Sequence, residues 1–163
     1  MDATPARESG GIDALQALLS TLAYDLTRPR AHERLVAMAG VPIDRAGLAL
    51  LRVLVDDGES LRIGRIAERL GVRTPHVTRQ VRELERQGLV TRVEEEADRR
   101  AQRVGPTARG RQTLAQVDRA SQALIAESLA GVTAQQIEAA VEVLGRISGH
   151  RGPAGHSRHG SAS

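Results

Sequence analysis

Apolar residues recur every three or four positions over most of the chain, a spacing that predicts a mainly helical protein. Pro29 should break or kink a first helix over residues 11–27, before a second helix over residues 30–39. Asp44 is a suitable N-cap for a third helix, which extends to about Val55 and should be central. The apolar positions of the first helix are Ile12, Leu15, Leu18, Leu19, Leu22 and Leu26.

Two shorter helices are predicted in the middle of the chain. A helical run over residues 61–70 ends at Gly71, which accepts a positive φ at no steric cost. A second run over residues 74–87 ends at Gly88. The apolar face of the helix over residues 74–87 should pack against the helix over residues 61–70. The contacts expected are Val77, Val81 and Leu84 against Ile63, Ile66 and Leu70.

Two short antiparallel strands are predicted next, over residues 89–93 and 101–104. Their connection carries Asp98, Arg99 and Arg100, after three glutamates that should face away from any phosphate. Helix, tight turn, helix and β-wing in this order predict a winged helix-turn-helix, a mainly α fold with a small β component (α+β). An arginine at the tip of such a wing can enter the DNA minor groove, and a neighbouring carboxylate can hold its guanidinium.

The remaining third of the chain is again helical. Pro106 and Thr107 should open a long helix, and Thr133 should cap a final helix that ends near Ser148. The tail is rich in Gly, Ser, His and Arg and is expected to be disordered. The predicted organisation begins with a disordered N-terminus (residues 1–10) and N-terminal dimerisation helices (11–42). The winged helix-turn-helix follows (43–106), and then C-terminal dimerisation helices (107–148) and a disordered tail (149–163).

The composition favours burial against a second subunit. The 163 residues include no Phe, no Trp and one Tyr, so the core must consist of Leu, Val, Ile and Ala. The simplest arrangement brings the terminal helices of two chains together as a dimer interface. An intramolecular bundle within one monomer is the alternative. The dimer is favoured because a two-fold DNA reader also needs two half-sites.

Charge is unevenly distributed along the chain. Residues 62–111 contain 13 Arg against 7 Asp and Glu, whereas the remainder has 10 Arg against 13 acidic residues. A basic middle fits a polyanionic partner, although chance clustering of solvated charge would give the same totals. The chain has no Cys, no signal-peptide pattern and no apolar run near the ~20 residues of a membrane span. These features predict a soluble cytoplasmic protein without disulfides or thiolate metal sites.

The helix predicted over residues 74–87 carries the candidate DNA-binding residues on its outward side. A recognition helix presents its N-terminal residues to base edges, where Thr contacts thymine methyl groups and Arg pairs with guanine or phosphate. The residues expected near bases or their flanking phosphates are Thr74, Pro75, His76, Thr78 and Arg79. Those expected at phosphates are Arg73, Arg82 and Arg86. For Glu83, Glu85 and Arg86, an ordinary solvated helix face is an equally good interpretation.

The sequence resembles the MarR family of transcriptional regulators from about Asp44 to Gly110, and more loosely over the terminal helices. The matching segments are LRIGRIAERLGV over residues 61–72, VTRQV over 77–81, LERQGLV over 84–90, DRR over 98–100 and TARG over 107–110. The resemblance implies a homodimer that binds a pseudo-palindromic operator and often represses transcription. It also implies that Asp98 orients the wing and that Arg100 probes the minor groove. The chain departs from the family pattern at Arg73, which would shift the helix cap to Thr74, and at Pro106.

The resemblance also implies a small-molecule effector, anionic or phenolic, between the dimer helices and the DNA-binding lobe. The polar candidates there are Tyr24, Arg28, Arg30, His32 and Arg52, for each of which a core or solvated role is the plainer interpretation. The tail histidines, His150, His156 and His159, have no metal-ligand spacing, so no metal and no cofactor are expected. Catalytic motifs are absent from the sequence, and an enzyme is not expected.

Two other classes of function remain open at this point. One is a winged-helix adapter that binds proteins and has lost DNA binding. The other is an architectural DNA binder without sequence preference, whose affinity would depend on salt alone. An adapter would tolerate loss of the basic face over residues 73–82 and of Arg100, which distinguishes it from a sequence-specific regulator.

Overall fold

The computed structural model describes residues 4–58, 60–95 and 98–149, and the side chains of residues 10–58, 60–93 and 103–149. Within these ranges the chain forms seven helices and three strands. It divides into two compact units, the first ending at Ala123 and the second beginning at Leu124. Each unit is described by itself.

The first unit opens with helices α1 (Thr4–Thr27) and α2 (Pro29–Ala39). The predicted break at Pro29 is confirmed, and Pro29 lies in the first turn of α2, where a missing N–H has no consequence. Helix α1 begins at Thr4, so the prediction of disorder over residues 1–10 is wrong for the part after residue 3. Pro5 suits a first turn in the same way as Pro29, a start signal that we missed.

Helix α3 (Arg45–Asp57) is the centre of the first unit, as its apolar character predicted. Helices α4 (Ile63–Leu70) and α5 (Thr74–Arg86) pack against it and against each other. Gly71 ends α4 with a φ of 63°, which is the left-handed turn expected there. The fully buried side chains of this core are Leu50, Leu51, Leu54, Ile66, Val77, Val81, Leu84, Val104 and Val117.

The sheet contains one strand that the hydrophobic pattern did not reveal. Strand β1 (Leu61–Arg62) occupies the start of the segment predicted as helix, and α4 begins only at Ile63. Strands β2 (Val90–Glu95) and β3 (Asp98–Pro106) form the wing, and the antiparallel order is β1-β3-β2. Leu61 pairs with Val104 of β3, so β1 exists because of a partner far along the chain. Both wing strands are longer than predicted.

Helix α6 (Ala108–Ser128) follows the wing and extends past the end of the first unit. The Thr107 hydroxyl accepts a hydrogen bond from the Gly110 amide at 3.0 Å, which confirms the predicted cap. Pro106 ends strand β3 instead of opening the helix. In the second unit, α7 (Ala134–Ile147) begins at a capping box formed by Thr133 and Gln136, which confirms the cap predicted at Thr133.

The terminal helices leave apolar side chains uncovered within one chain. On α1, Leu18 is 68% exposed and Leu22 is 51% exposed. On α7, Val141 is 60% exposed and Ile147 is 56% exposed. Leu18 and Leu22 lie one turn apart on α1, and large apolar side chains exposed together commonly mark an interaction surface. None of the helices in the described ranges is long and apolar enough to cross a membrane.

Candidate nucleic-acid interface

Helix α5 begins without a side-chain cap. Arg73 is the N-cap residue, in extended backbone conformation, and its side chain makes no capping hydrogen bond. Thr74 is therefore the first residue of the helix, and the prediction that the cap shifts to Thr74 is wrong. Pro75 follows in the first turn, where the ring's fixed φ is helical and its lack of an N–H has no consequence.

The buried face of α5 determines which residues point outward. Val77, Val81 and Leu84 are at most 2% exposed, as the sequence predicted for the inward face. The residues on the other side are exposed to solvent. We call the following set the α5 surface: Arg73, Thr74, Pro75, His76, Arg79 and Arg82.

The arginines of the α5 surface lack the ion-pair partners that arginines of the neighbouring helix have. Within the described part of the chain, the guanidinium groups of Arg73, Arg79 and Arg82 make no hydrogen bond or ion pair. On α4, in contrast, Arg65 pairs with Glu68 at 2.9 Å and Arg69 pairs with Asp57. The α5 surface also contains no acidic residue. Its guanidinium groups can therefore bind an external anion without first breaking an ion pair to a carboxylate of the protein.

Two predicted contact residues on α5 have other partners. Thr78 is half-buried, and its hydroxyl donates a hydrogen bond to the Thr74 carbonyl at 3.1 Å. Arg86 donates two hydrogen bonds to the Glu83 carboxylate, at 3.1 and 2.5 Å. Hydrogen bonds from Arg86 and Gln87 lower the pKa of the Glu83 carboxyl. The hydrogen bond to Glu83 in turn raises the pKa of Arg86. An external phosphate would therefore compete with Glu83 for Arg86.

A side-chain brace that the sequence did not predict links α5 to α3. The Asp44 carboxylate accepts a hydrogen bond from the Gly47 amide at 2.7 Å, which is the predicted cap of α3. The same oxygen accepts a hydrogen bond from Gln80 Nε2 at 2.7 Å. Gln80, a half-buried residue of α5, thus fixes this helix to the start of α3. No local pattern links positions 36 residues apart.

Replacing Asp44 by alanine should destabilise the fold by about 1 kcal/mol, and by up to about 2 kcal/mol, because α3 loses its cap and Gln80 loses its acceptor. Chemical denaturation of Asp44→Ala measures this change. Asp56→Ala is the matched control, since Asp56 is exposed on the same helix and its side chain makes no hydrogen bond or ion pair within the described residues. Equal stability of the two variants would contradict the brace.

The base of the wing is held by arginine side chains. Arg103 donates from Nε to the Ser60 carbonyl at 2.9 Å and from Nη2 to the same oxygen at 2.5 Å. Arg92 of β2 pairs with Glu85 of α5 at 3.2 Å, which ties the wing to the end of that helix. These contacts orient the wing relative to the α5 surface. The sequence placed both arginines in strands but gave no sign of their partners.

The predicted wing residues lie in strand β3. The backbone of Asp98, Arg99 and Arg100 forms the beginning of this strand, whereas the sequence had placed the three in the connection. Asp98 is opposite Glu95, next to an irregularity in the register of β2. The side chains of Asp98, Arg99 and Arg100 lie outside the described part of the chain. Their predicted contacts stay predictions.

The candidate effector residues are not brought together as one group. Tyr24 is exposed, and the Arg28 guanidinium lies 5.0 Å from the centre of its ring. His32 Nε2 lies 2.9 Å from the Ile43 carbonyl oxygen, and Arg52 pairs with Asp118 at 2.6 Å. Arg30 is exposed on α2.

His32 and Arg52 do share one feature, a cavity of about 310 Å³ against α2 and α3. Its other walls are mainly apolar and include Leu26, Leu35 and Leu48. Arg45 also lines it and donates hydrogen bonds to the Leu26 and Thr27 carbonyls at 2.8 and 2.7 Å. Arg45 thus caps the C-terminal end of α1, a role that the sequence did not reveal.

Within the described ranges, no group of three or more His, Cys, Asp or Glu side chains is arranged to hold a metal ion. The tail residues His150, His156 and His159 lie outside the described residues.

A helix-turn-helix of α4 and α5, braced on α3 and followed by a two-stranded wing, defines a winged helix-turn-helix, the class that the sequence predicted. Residues 47–101 match the model of the MarR family. The expected resemblance is therefore confirmed: the chain has the DNA-binding fold of the MarR-family transcriptional regulators, a family of regulators and not of enzymes. No curated protein matches the chain.

Solved structures share this fold over most of the chain. A MarR family protein from Bacillus stearothermophilus is 21% identical with a TM-score of 0.75, over 86% of this chain and 95% of that one. FabT from Streptococcus pneumoniae, in complex with DNA, is 20% identical with a TM-score of 0.66, over 85% and 95%. The transcriptional regulator BldR from Sulfolobus solfataricus is 26% identical with a TM-score of 0.58, over 85% and 96%.

Proposed function

We propose that the protein is a sequence-specific transcriptional repressor that binds a pseudo-palindromic operator as a homodimer. The observation that carries this proposal is the α5 surface, in which three arginines without internal partners lie beside exposed Thr74 and His76. A helix of this kind enters the major groove in the winged helix-turn-helix class. Structures of the same fold have been solved with DNA, FabT among them.

The residues of the α5 surface have different proposed roles. Thr74, His76 and Arg79 lie in the first turns of α5, where a recognition helix meets base edges. Arg73 and Arg82 flank them and are proposed to bind phosphates, which position the helix without specifying sequence. Pro75 sets the start of the helix. The two residues with internal partners, Thr78 and Arg86, are proposed to make weaker contacts.

The wing is proposed to act beside the α5 surface. Asp98 would hold the guanidinium of Arg100 while Arg100 enters the minor groove, and Arg99 would contact phosphate. The support is the position of all three at the start of β3, in a wing whose base is fixed by Arg103 and Ser60.

Replacing Arg100 by alanine should weaken operator binding by about 1–3 kcal/mol and leave the fold unchanged. Fluorescence anisotropy with a labelled operator duplex measures the affinity, and circular dichroism checks the fold. Arg34→Ala, an arginine exposed on α2, is the control. Unchanged operator affinity in a folded Arg100→Ala protein would overturn the proposed role of the wing.

A homodimer is proposed because α1 and α7 each leave an apolar face uncovered. Leu18 and Leu22 on α1, and Val141 and Ile147 on α7, are all more than half exposed in one chain. Burial of each such side chain is worth about 1.5–3 kcal/mol. A second copy of the chain would cover these faces and would place two α5 surfaces on one duplex.

Leu22→Arg should therefore dissociate the dimer, since a charge would have to be buried twice across a two-fold interface. Sedimentation velocity at micromolar protein measures the mass. Ala17→Arg is the matched control, because Ala17 is exposed on the opposite side of α1 by helical spacing. Dimers of equal stability from both variants would show that the face containing Leu22 is not the interface.

Release of the operator by a small anionic or phenolic effector is also proposed. The cavity lined by His32, Arg45 and Arg52 supports it, because it combines cationic side chains with mainly apolar walls. It lies against α3, the helix to which α5 is braced by Asp44 and Gln80.

The experiment that tests the proposed function is selection of bound DNA from a pool of random duplexes, at near-physiological salt. Enrichment of an inverted repeat, with half-sites about one helical turn apart, is the expected result. Salt-sensitive binding with no enriched motif would replace the proposal by an architectural DNA binder. Absence of any binding would favour a protein-binding adapter.

A further inference from the structure

The C-terminal end of α1 is held by a side chain from α3. The last four carbonyls of a helix have no partner within that helix. In α1, the carbonyls of Tyr24 and Asp25 accept hydrogen bonds from groups three residues later, at 2.7 and 3.2 Å. The other two, on Leu26 and Thr27, accept hydrogen bonds from the Arg45 guanidinium at 2.8 and 2.7 Å. Arg45 thus supplies the partners that this helix end lacks.

The position of Arg45 is not explained by its own helix. Arg45 is the first residue of α3, directly after the N-cap Asp44. A helix N-terminus carries partial positive charge, so a cation in the first turn is unfavourable for that helix. At a helix C-terminus the same cation is favourable. An arginine at this position therefore stabilises the junction with α1, and not the start of α3.

The break between α1 and α2 makes this junction decisive for the direction of α1. A single residue, Arg28, separates the two helices, and its backbone is extended, with φ −71° and ψ 142°. Pro29 prevents the helices from continuing through it. Because the backbone can rotate at such a break, the direction of α1 depends on contacts beyond it. The planar Arg45 guanidinium, bonded to the last two carbonyls of α1, fixes both the place and the direction of the helix end.

The residue next to Arg45 holds the helix of the α5 surface. The Asp44 carboxylate accepts the hydrogen bond from Gln80 of α5 at 2.7 Å. Two consecutive residues of α3 therefore connect α5 to α1. On the same side of α3 as Arg45, two turns later, Arg52 pairs with Asp118 of α6 at 2.6 Å. Helix α3 thus joins the α5 surface to α1 and to α6.

We propose that Arg45 is a positioning residue for operator binding, because it sets the angle between α1 and the helix-turn-helix. In a dimer paired through α1, this angle determines the separation of the two α5 surfaces. The separation in turn determines which spacing of half-sites both surfaces can reach at once. The inference deepens the proposed function, on which it rests. Arg45 would select among operators by their spacing and not by contact with a base.

The first test measures spacing preference by fluorescence anisotropy. The duplexes are the selected operator, the same operator with one or two base pairs inserted or removed between its half-sites, and a single half-site. Arg45→Ala should reduce the preference for the selected spacing about tenfold, the value of one hydrogen bond to a charged group. Its affinity for the single half-site should be unchanged.

Two further variants separate geometry from charge. Arg45→Lys keeps the charge but offers one nitrogen to two carbonyls, so it should retain only part of the spacing preference. Arg34→Ala, which removes an exposed arginine from α2, should leave the preference unchanged. If Arg45 acted through its charge alone, Arg45→Lys would behave as the native protein does, and Arg45→Ala would weaken binding equally at every spacing.

The second test needs no DNA. The chain contains no Cys, so Thr91→Cys, at an exposed position of β2, provides one spin-labelling site in each subunit. Double electron–electron resonance between the two labels of a dimer should give a narrow distance distribution. Adding Arg45→Ala should broaden or shift that distribution. Sedimentation velocity and circular dichroism check that the labelled proteins are dimeric and folded.

An unchanged spacing preference or an unchanged distance distribution, in a folded and dimeric Arg45→Ala protein, would overturn the proposal. So would an equal loss of affinity at every spacing. If Arg45→Ala fails to fold, Arg45→Lys decides in the same two measurements, and native values for both would overturn the proposal.

Failure of the proposed function has a different appearance. A native protein that is monomeric would refute the homodimer and this inference together. A dimer that binds no duplex, but whose distance distribution broadens in Arg45→Ala, would support the junction and refute its consequence for DNA. Operator binding with a spacing preference that Arg45→Ala does not change would refute the role of Arg45 and leave the proposed function intact.

Discussion

Replacing Gly110 by alanine is expected to destabilise the protein by about 1–3 kcal/mol or more. This range is the usual cost of overpacking a core. A Cβ at this position would lie 2.1 Å from the Leu89 carbonyl oxygen and 3.1 Å from Leu51 Cδ1. The obstructing atom is backbone and cannot turn away as a side chain would. It also accepts a hydrogen bond from the Thr107 amide at 3.0 Å, so moving it breaks the junction between wing and α6.

Thermal unfolding measures this effect, and a fall of several degrees is expected for a chain of this size. Gly64→Ala is the matched control, because Gly64 lies in α4 and a Cβ added there would have no atom within 4 Å. That substitution should be neutral or stabilise the protein by about 0.5–1 kcal/mol, since alanine favours helix. A Gly110→Ala protein as stable as Gly64→Ala would contradict the close approach of α6 to Leu89.

Replacing Arg79 by alanine should weaken operator binding by about 1–3 kcal/mol and reduce discrimination among bases at one position of each half-site. The reason is that Arg79 is exposed near the start of α5 and has no internal partner in the described chain, so all its donors are available to DNA. Arg82→Ala should behave differently. A phosphate contact weakens all duplexes alike and lowers the salt dependence of binding.

Anisotropy titrations at several salt concentrations separate these two effects. Arg34→Ala, which removes an exposed arginine from α2, controls for the loss of one positive charge. Arg86→Ala should have a smaller effect than Arg79→Ala, since Arg86 is already paired with Glu83. If Arg79→Ala and Arg34→Ala bind the operator equally, the α5 surface does not read DNA.

The helices could be predicted from the sequence because their signals are local. Asp44 and Thr133 cap the helices that follow them, and Pro29 separates α1 from α2. The apolar positions of α5 likewise identified its buried face. In each case the residues that determine the structure lie within a few positions of it along the chain.

The features that were missed depend on partners distant in sequence. Strand β1 exists through pairing of Leu61 with Val104, and its two residues alone continue the helical pattern of α4. The same holds for the contacts of Gln80 with Asp44 and of Arg52 with Asp118, 36 and 66 residues apart.

The candidate site was predicted unevenly for the same reason. The outward face of α5 follows from its periodicity, so its exposed members could be named. Whether an arginine there is paired depends on neighbours that periodicity does not reveal, as Arg86 illustrates. The effector candidates were chosen as polar residues in helices. In the folded chain, His32 contacts the Ile43 carbonyl before α3 and Arg52 pairs with Asp118 of α6, contacts that helical periodicity does not reveal.

The measurement that tests the central claim most directly is the ratio of two affinities at near-physiological salt. One is for the duplex obtained by selection, and the other is for a duplex of the same length and composition in shuffled order. We predict that the selected duplex binds at least about 10³-fold more tightly, as is typical of sequence-specific regulators. Equal affinities, with the same dependence on salt, would contradict sequence-specific recognition by the α5 surface.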